Sequence, residues 1–193
     1  YKMVIFTCPV NKYYDAAVKV KVEDHYSRAA KGGVGFAKAA GNYAASLLPA
    51  KKAAEEGYDQ LIWTDATEHK YIEESGTMNL MTIIDGKIVT PPAGETILGG
   101  ITRDAVLTIA NDLGYKVEER PLSVDEVIEA QKAGKLEDMF GTGTAVTITH
   151  ISGFGRNGID YELPPVSERK ISTHLKNELE AIRATLGSGG NGD

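Results

Sequence analysis

Four short stretches carry residues whose type and spacing could do chemistry. KGGVGFAKAAGNY, residues 31–43, sets Lys38 among four glycines and small or apolar neighbours, as suits an amine that a ligand must approach closely. ETILGGITRD, residues 95–104, puts two glycines before a helical pattern. A helix start exposes backbone N–H donors and the positive end of a dipole, so it suits a phosphate, and Thr102 adds a hydroxyl. FGTGTA, residues 140–145, alternates glycine with Thr142 and Thr144, letting backbone come near a ligand. YIEESGTMN, residues 71–79, holds the adjacent carboxylates Glu73 and Glu74. Each signal also has a plain reading: glycine before a helix is commonly a turn, and a Gly-Thr alternation is commonly a bulge.

A nucleotide phosphate loop is excluded. That loop needs glycine directly before its lysine and Ser or Thr directly after it, and Ala37 and Ala39 occupy those places. A lysine amine can instead form a Schiff base with an aldehyde cofactor. Pyridoxal phosphate requires such a lysine, an anion cup for its phosphate, and a carboxylate that keeps its pyridine nitrogen protonated. If residues 71–75 form a strand, Glu73 and Glu74 point to opposite faces and only one can meet the ring. His25, His69, His150 and His174 lack metal-ligand spacing, so no metal site is assigned.

The elements needed to position these groups are legible in outline. KMVIFTC reads as a buried strand carrying Cys8, AVKVKVED as a half-exposed strand, and residues 32–41 as a loop. A helix follows from Tyr43 to Glu56, closed by Gly57; DQLIWTD is a buried strand with Trp63 in the core. YIEES and TMNLMTIID-G-KIVT read as strands around an Asp85-Gly86 hairpin. ITRDAVLTIANDL is a helix stopping at Gly114, YKVEERPL a strand, and Ser123 with Glu126 a capping box. MFGTGTAVTITHI is a strand interrupted by glycines, and ERKISTHLKNELEAIRATL an amphipathic helix. Strands alternating with helices imply an α/β arrangement with some parallel pairing. The 193 residues, 42% hydrophobic and 25% charged, suit one globular domain. The net charge of −6 argues against nucleic acid as a partner. No apolar run approaches the ~20 residues of a membrane span. Cys8 is the single cysteine, which excludes an internal disulfide and points to a reducing, cytoplasmic setting.

GGVGFAKAAGNYAASL, EESGTMN, ILGGITRD and FGTGTA occur in an order that resembles branched-chain amino acid aminotransferases, pyridoxal phosphate enzymes of fold type IV. The resemblance implies a mixed-sheet pseudo-barrel large domain and transamination of leucine, isoleucine or valine with 2-oxoglutarate, as in branched-chain amino acid biosynthesis. By position, Lys38 matches the Schiff-base lysine and proton shuttle, and Glu74 the partner of the pyridine nitrogen, leaving Glu73 a solvated or structural neighbour. Tyr43 matches the tyrosine by the cofactor's phenolic oxygen and Leu98 the residue packed on the ring. Gly100, Ile101 and Thr102 match the phosphate cup. Thr144 and Ala145 match the amides that receive the substrate carboxylate, while Thr77, Met78 and Ala145 line the side-chain pocket. The resemblance further implies residues 1–186 as the cofactor-binding large domain, with the small N-terminal domain lacking and 187–193 a flexible tail or engineering scar. It implies a homodimer, or association with the missing small domain, and weak or no turnover by the chain alone. No Cys-x-x-Cys pair follows the Gly-Thr motif, since AVTI follows Thr144. The alternatives are another fold type IV enzyme, a D-amino acid aminotransferase or an aminodeoxychorismate lyase, or a fragment without catalysis.

Overall fold

A computed structural model describes residues 2–7, 9 and 16–188. Its centre is a mixed sheet that curls until its ends meet. Strand β1 (Val18–Val22) lies parallel to β2 (Gln60–Thr64), which pairs antiparallel with β3 (Ile72–Ser75). On its other side β1 runs parallel to β8 (Thr147–Arg156), which pairs with β7 (Leu136–Gly143), and β7 pairs with β4 (Met78–Ile84). Pairing of β3 with β4 closes the path, so six strands form a barrel within a nine-stranded sheet. Strands β5 (Lys87–Thr90) and β6 (Val117–Glu119) extend it beyond β4, and β9 (Ile159–Glu162) beyond β8.

The period of two decides what each strand buries. Val18, Val20, Ile62, Leu80, Met139, Ile151 and Phe154 meet in one cluster. The opposite face of the same strands supplies Met81, Ile83, Phe140 and Ile148 to a second cluster. Helices α3 (Ile101–Asp112) and α5 (Lys170–Ser188) cover that second face through Val106, Leu107, Leu175 and Leu179. Helix α2 (Leu47–Glu55) covers Leu61 and Trp63 through Ala53, and α4 (Val124–Lys132) adds Val127 and Ile128 to the first cluster.

Several expectations stand. Asp85 and Gly86 both take positive φ, 53° and 73°, as the two-residue hairpin turn requires. Gly114 ends α3 at φ 77°, and the Ser123 hydroxyl accepts the Glu126 N–H at 3.1 Å. The capping box is only half made, because the Glu126 carboxylate turns to Arg120 instead.

Others are corrected. Residues 2–7 form no strand, and Met3, Val4, Ile5 and Phe6 are exposed: no described strand edge lies beside them to satisfy their backbone. The Cys8 reading lies outside the described residues. The helix expected from Tyr43 to Glu56 is two helices, α1 (Ala40–Ala44) and α2. Pro49 cannot donate to the Ala45 carbonyl, and the Ser46 hydroxyl donates to the Tyr43 carbonyl at 2.6 Å, so the ladder breaks between them. Residues 136–156 are two antiparallel strands, not one interrupted strand, joined through a tight turn at Thr144–Val146. Helix α5 runs to Ser188, and residues 189–193 lie outside the described residues.

Candidate active site

At one end of the barrel the β3–β4 hairpin, the β7–β8 turn, the loop before α1 and the loop before α3 converge. Lys38, Tyr43, Thr77, Met78, Thr144 and Ala145 line a hollow of about 310 Å³ there. A narrower cleft beside it shares Tyr43 and Thr77 and is lined also by Arg28, Glu74, Asn79 and Leu98. Of the residues singled out in sequence, Lys38, Tyr43, Glu74, Thr77, Met78, Leu98, Thr144 and Ala145 fall around two adjoining spaces, with Tyr43, half-buried in α1, on the wall between them. Gly100, Ile101 and Thr102 line neither; they start α3 at the margin, where Gly100 lies against the Asn79 side chain.

The β3–β4 hairpin sets the carboxylate. Gly76, at φ 56°, makes a two-residue turn with Thr77, so Ser75 faces Met78 and Glu74 faces Asn79 across the strands. That cross-strand pair grips one peptide unit of the loop before α3. The Glu74 Oε1 accepts the Leu98 N–H at 2.8 Å, and the Asn79 amide donates to the Leu98 carbonyl at 2.8 Å. Trp63 holds the turn from below, its indole donating to the Gly76 carbonyl at 3.0 Å. A Cβ on Gly100 would collide with the Asn79 Oδ1, so glycine there is a packing requirement.

Glu74 is 4% exposed, and burial pushes its carboxyl up to about 7. Arg28, the Leu98 N–H and Lys38 oppose that rise, while Glu73 adds to it. Glu73 points to the other face as the strand period requires, but it is buried rather than solvated; its Oε2 lacks a hydrogen-bond partner, and burial raises its pKa. Lys38 lies on an exposed loop whose approach is held by Asn42: the Asn42 amide donates to the carbonyls of Val34 and Ala37 at 2.8 and 3.0 Å. Gly35 in that loop has a different role from the one its neighbourhood suggested. A Cβ there would strike Ala29 and the Thr96 backbone, so the residue admits a close chain crossing rather than a ligand.

Two sets of backbone donors face this end. The first intrahelical bond of α3 runs from the Asp104 N–H to the Gly100 carbonyl, leaving the N–H groups of residues 101–103 for another acceptor. In the β7–β8 turn the Val146 N–H bonds to the Gly143 carbonyl at 3.3 Å, whereas the N–H groups of Thr144 and Ala145 make no hydrogen bond among the described residues. The arrangement thus offers an exposed amine, a phenol, a buried acid able to share a proton near neutrality, and two anion-directed N–H sets. Such a donor set fits a phosphorylated aldehyde heterocycle bound to an amino acid.

Sequence reasoning missed Arg28, Asn42 and Asn79. Asn79 had a signal: Gly76-Thr77 between two strand patterns reads as a two-residue hairpin turn, which makes Asn79 the partner of Glu74. Arg28 and Asn42 act through loop geometry that has no periodic signature.

Comparison with known proteins shows the family to which the chain is similar. A family model described as amino-transferase class IV matches residues 2–154. A probable branched-chain-amino-acid aminotransferase of Staphylococcus epidermidis is 48% identical over 155 residues, covering 78% of this chain and 43% of that protein. The crystal structure of a branched-chain aminotransferase from Thermoproteus uzoniensis with norvaline superposes with a TM-score of 0.77 at 28% identity, covering 91% of this chain and 54% of that one. The crystal structure of another branched-chain amino acid aminotransferase, complexed with N-(5'-phosphopyridoxyl)-L-glutamate, gives 0.69 at 29% identity, covering 86% and 52%. The chain spans about half the length of the relatives it matches.

Proposed function

The chain belongs to the class IV aminotransferases, and from that membership we propose that it is the cofactor-binding part of a pyridoxal phosphate enzyme moving amino groups between branched-chain L-amino acids and 2-oxoglutarate. The observation that carries the reading is the cross-strand pair Glu74 and Asn79 clasping the Leu98 peptide beside the hollow that holds Lys38 and Tyr43. Bound pyridoxal phosphate supplies an electron sink for the substrate Cα carbanion. Lys38 would hold the aldehyde and move the proton at the reacting carbon. Glu74 would hold the proton at the ring nitrogen, Tyr43 would hydrogen-bond the phenolic oxygen, and Leu98 would pack on the ring. The N–H groups at Ile101 and Thr102, after Gly100, receive the phosphate with the Thr102 hydroxyl. The free amides of Thr144 and Ala145 receive the substrate carboxylate, while Thr77, Met78 and Ala145 bound the side-chain space and Tyr43 also touches substrate.

Residues 1–186 act as the large domain in this reading. Lys38, Thr77, Thr144 and Ala145 are exposed, so a second surface must cover them for substrate to be oriented, and orientation carries much of the rate. A second copy of the chain or a small domain supplies that cover, and the enzyme works in the cytoplasm. No helix among the described residues is long and apolar enough to cross a membrane.

A single-turnover experiment tests the substrate class. The chain loaded with pyridoxal phosphate is mixed with L-leucine, D-alanine or aminodeoxychorismate, and the visible band of the cofactor is followed. L-Leucine should discharge the band fastest, with multiple-turnover rates low for the chain alone. Faster discharge by D-alanine, or elimination from aminodeoxychorismate, would assign the chain to another branch of the family.

A further inference from the structure

Arg28 is the one guanidinium among the described residues that lines the cleft of Glu74 and Leu98. Both members of the pair are withdrawn from water, with 7% of the Arg28 side chain and 6% of that of Glu74 exposed. The Arg28 Nε lies 3.3 Å from Glu74 Oε2, yet it makes no directed hydrogen bond there, so the contact is one of charge. The directed bonds go elsewhere. Arg28 Nη2 donates to the Thr96 carbonyl, in the loop before α3, and reaches the Gly35 carbonyl, in the Lys38 loop, at 3.5 Å. These loops also bond directly, the Phe36 N–H to the Glu95 carbonyl at 3.0 Å and the Gly32 N–H to the Glu95 carboxylate at 3.2 Å.

We propose that Arg28 is a positioning residue for the ring-nitrogen acid, favouring the ionised form of Glu74 against its burial while its Nη2 links the two loops that carry Lys38 and Leu98. The inference rests on the reading that Glu74 faces a pyridine nitrogen. A proton shared between that nitrogen and a carboxylate goes to the carboxylate if the anion is unsupported. A cation behind the carboxylate biases the proton to the ring, where it is needed. The other groups acting on Glu74 are weaker: Glu73 disfavours the anion, and Lys38 and the Leu98 N–H favour it. Lys38 lines the adjoining hollow and would be engaged by a cofactor aldehyde, whereas Arg28 lines the cleft of Glu74 itself.

The test follows the Glu74 carboxyl by 13C NMR in the cofactor-free chain, for the unaltered protein, Arg28→Gln and Arg28→Lys. Arg28→Gln should raise the titration midpoint by about one pH unit or more, the effect of removing an opposite charge at this distance. Arg28→Lys should restore most of that shift, because the contact is charge without a directed bond. With 15N-labelled pyridoxal phosphate bound, the ring nitrogen signal should move toward the unprotonated position in Arg28→Gln alone. A merely structural role would leave both midpoint and ring signal unchanged in folded variants, and that result overturns the proposal. If Arg28→Gln does not fold, the unaltered chain decides: the Arg28 Nε–H resonance must titrate together with Glu74, and a resonance that stays fixed overturns the proposal equally. Failure to bind pyridoxal phosphate would count against the proposed function while leaving the carboxyl titration readable.

Discussion

Glu74 carries a cost that its position explains. Burial raises its carboxyl from 4.5 to about 7, so the folded chain prefers it neutral while the unfolded chain releases its proton earlier. The stabilisation associated with the neutral form is complete below about pH 4.5 and is lost as pH rises through about 7. Glu74→Gln should remove this dependence, making the chain more stable than the unaltered one at pH 8 by about 3 kcal/mol and nearly equal to it at pH 4. Urea unfolding of both proteins at the two pH values measures it; equal differences at both would contradict the assignment. A group held at such a cost is a functional candidate, and a pyridinium partner would repay the ionisation. Lys38 and Glu74 stand out in the sequence because their motifs mark them as candidates. Arg28 was not, since a lone arginine in HYSRAA has no pattern until the fold brings it behind the carboxylate.

Helix starts position the groups around the site, and they can be tested separately from it. Ser123 caps α4 by accepting the Glu126 N–H at 3.1 Å. Ser123→Ala should cost about 1 kcal/mol, read as a lower melting temperature with cofactor affinity unchanged. At α3 the capping residue is Gly100, without a side-chain cap, and its N-terminal donors are left open. Gly100→Ala should therefore act on binding: the added methyl meets Asn79 and shifts the turn that holds Leu98, weakening pyridoxal phosphate binding measured by titration of the visible band. Affinity equal to that of the unaltered chain would remove α3 from the phosphate role. The sequence revealed α3, α4 and the Asp85-Gly86 hairpin because caps and turn residues mark them locally. It misled at residues 2–7, where an apolar run becomes a strand only beside a partner edge, and at residues 43–56, where Pro49 and Ser46 divide a helix that alanine content favours.

Barrel closure is a property of the whole molecule that no local pattern announces. It depends on β3 pairing with β2 on one side and β4 on the other, and on β1 joining β8 from the far end of the chain. The segment leading into α5 is pinned to this barrel by Arg169, which meets Asp138 on β7 at 2.8 Å and donates to the Ile151 and Pro164 carbonyls. Both side chains are nearly inaccessible, at 1% and 3%. Arg169→Met should cost about 3–5 kcal/mol near neutral pH by stranding a buried carboxylate. Because burial raises the Asp138 pKa, the loss should shrink in acid, where the acid is neutral; urea midpoints at two pH values read both effects. The closed barrel brings Lys38, Glu74, Leu98 and Thr144 to one end from four separate segments, which is why their grouping is the central claim. Borohydride reduction of the chain after incubation with pyridoxal phosphate, followed by peptide mass mapping, tests that claim most directly. The account predicts one phosphopyridoxyl group per chain, on Lys38, with no labelling at low cofactor concentration in Lys38→Ala. Label spread over surface lysines, or undiminished in Lys38→Ala, would contradict it.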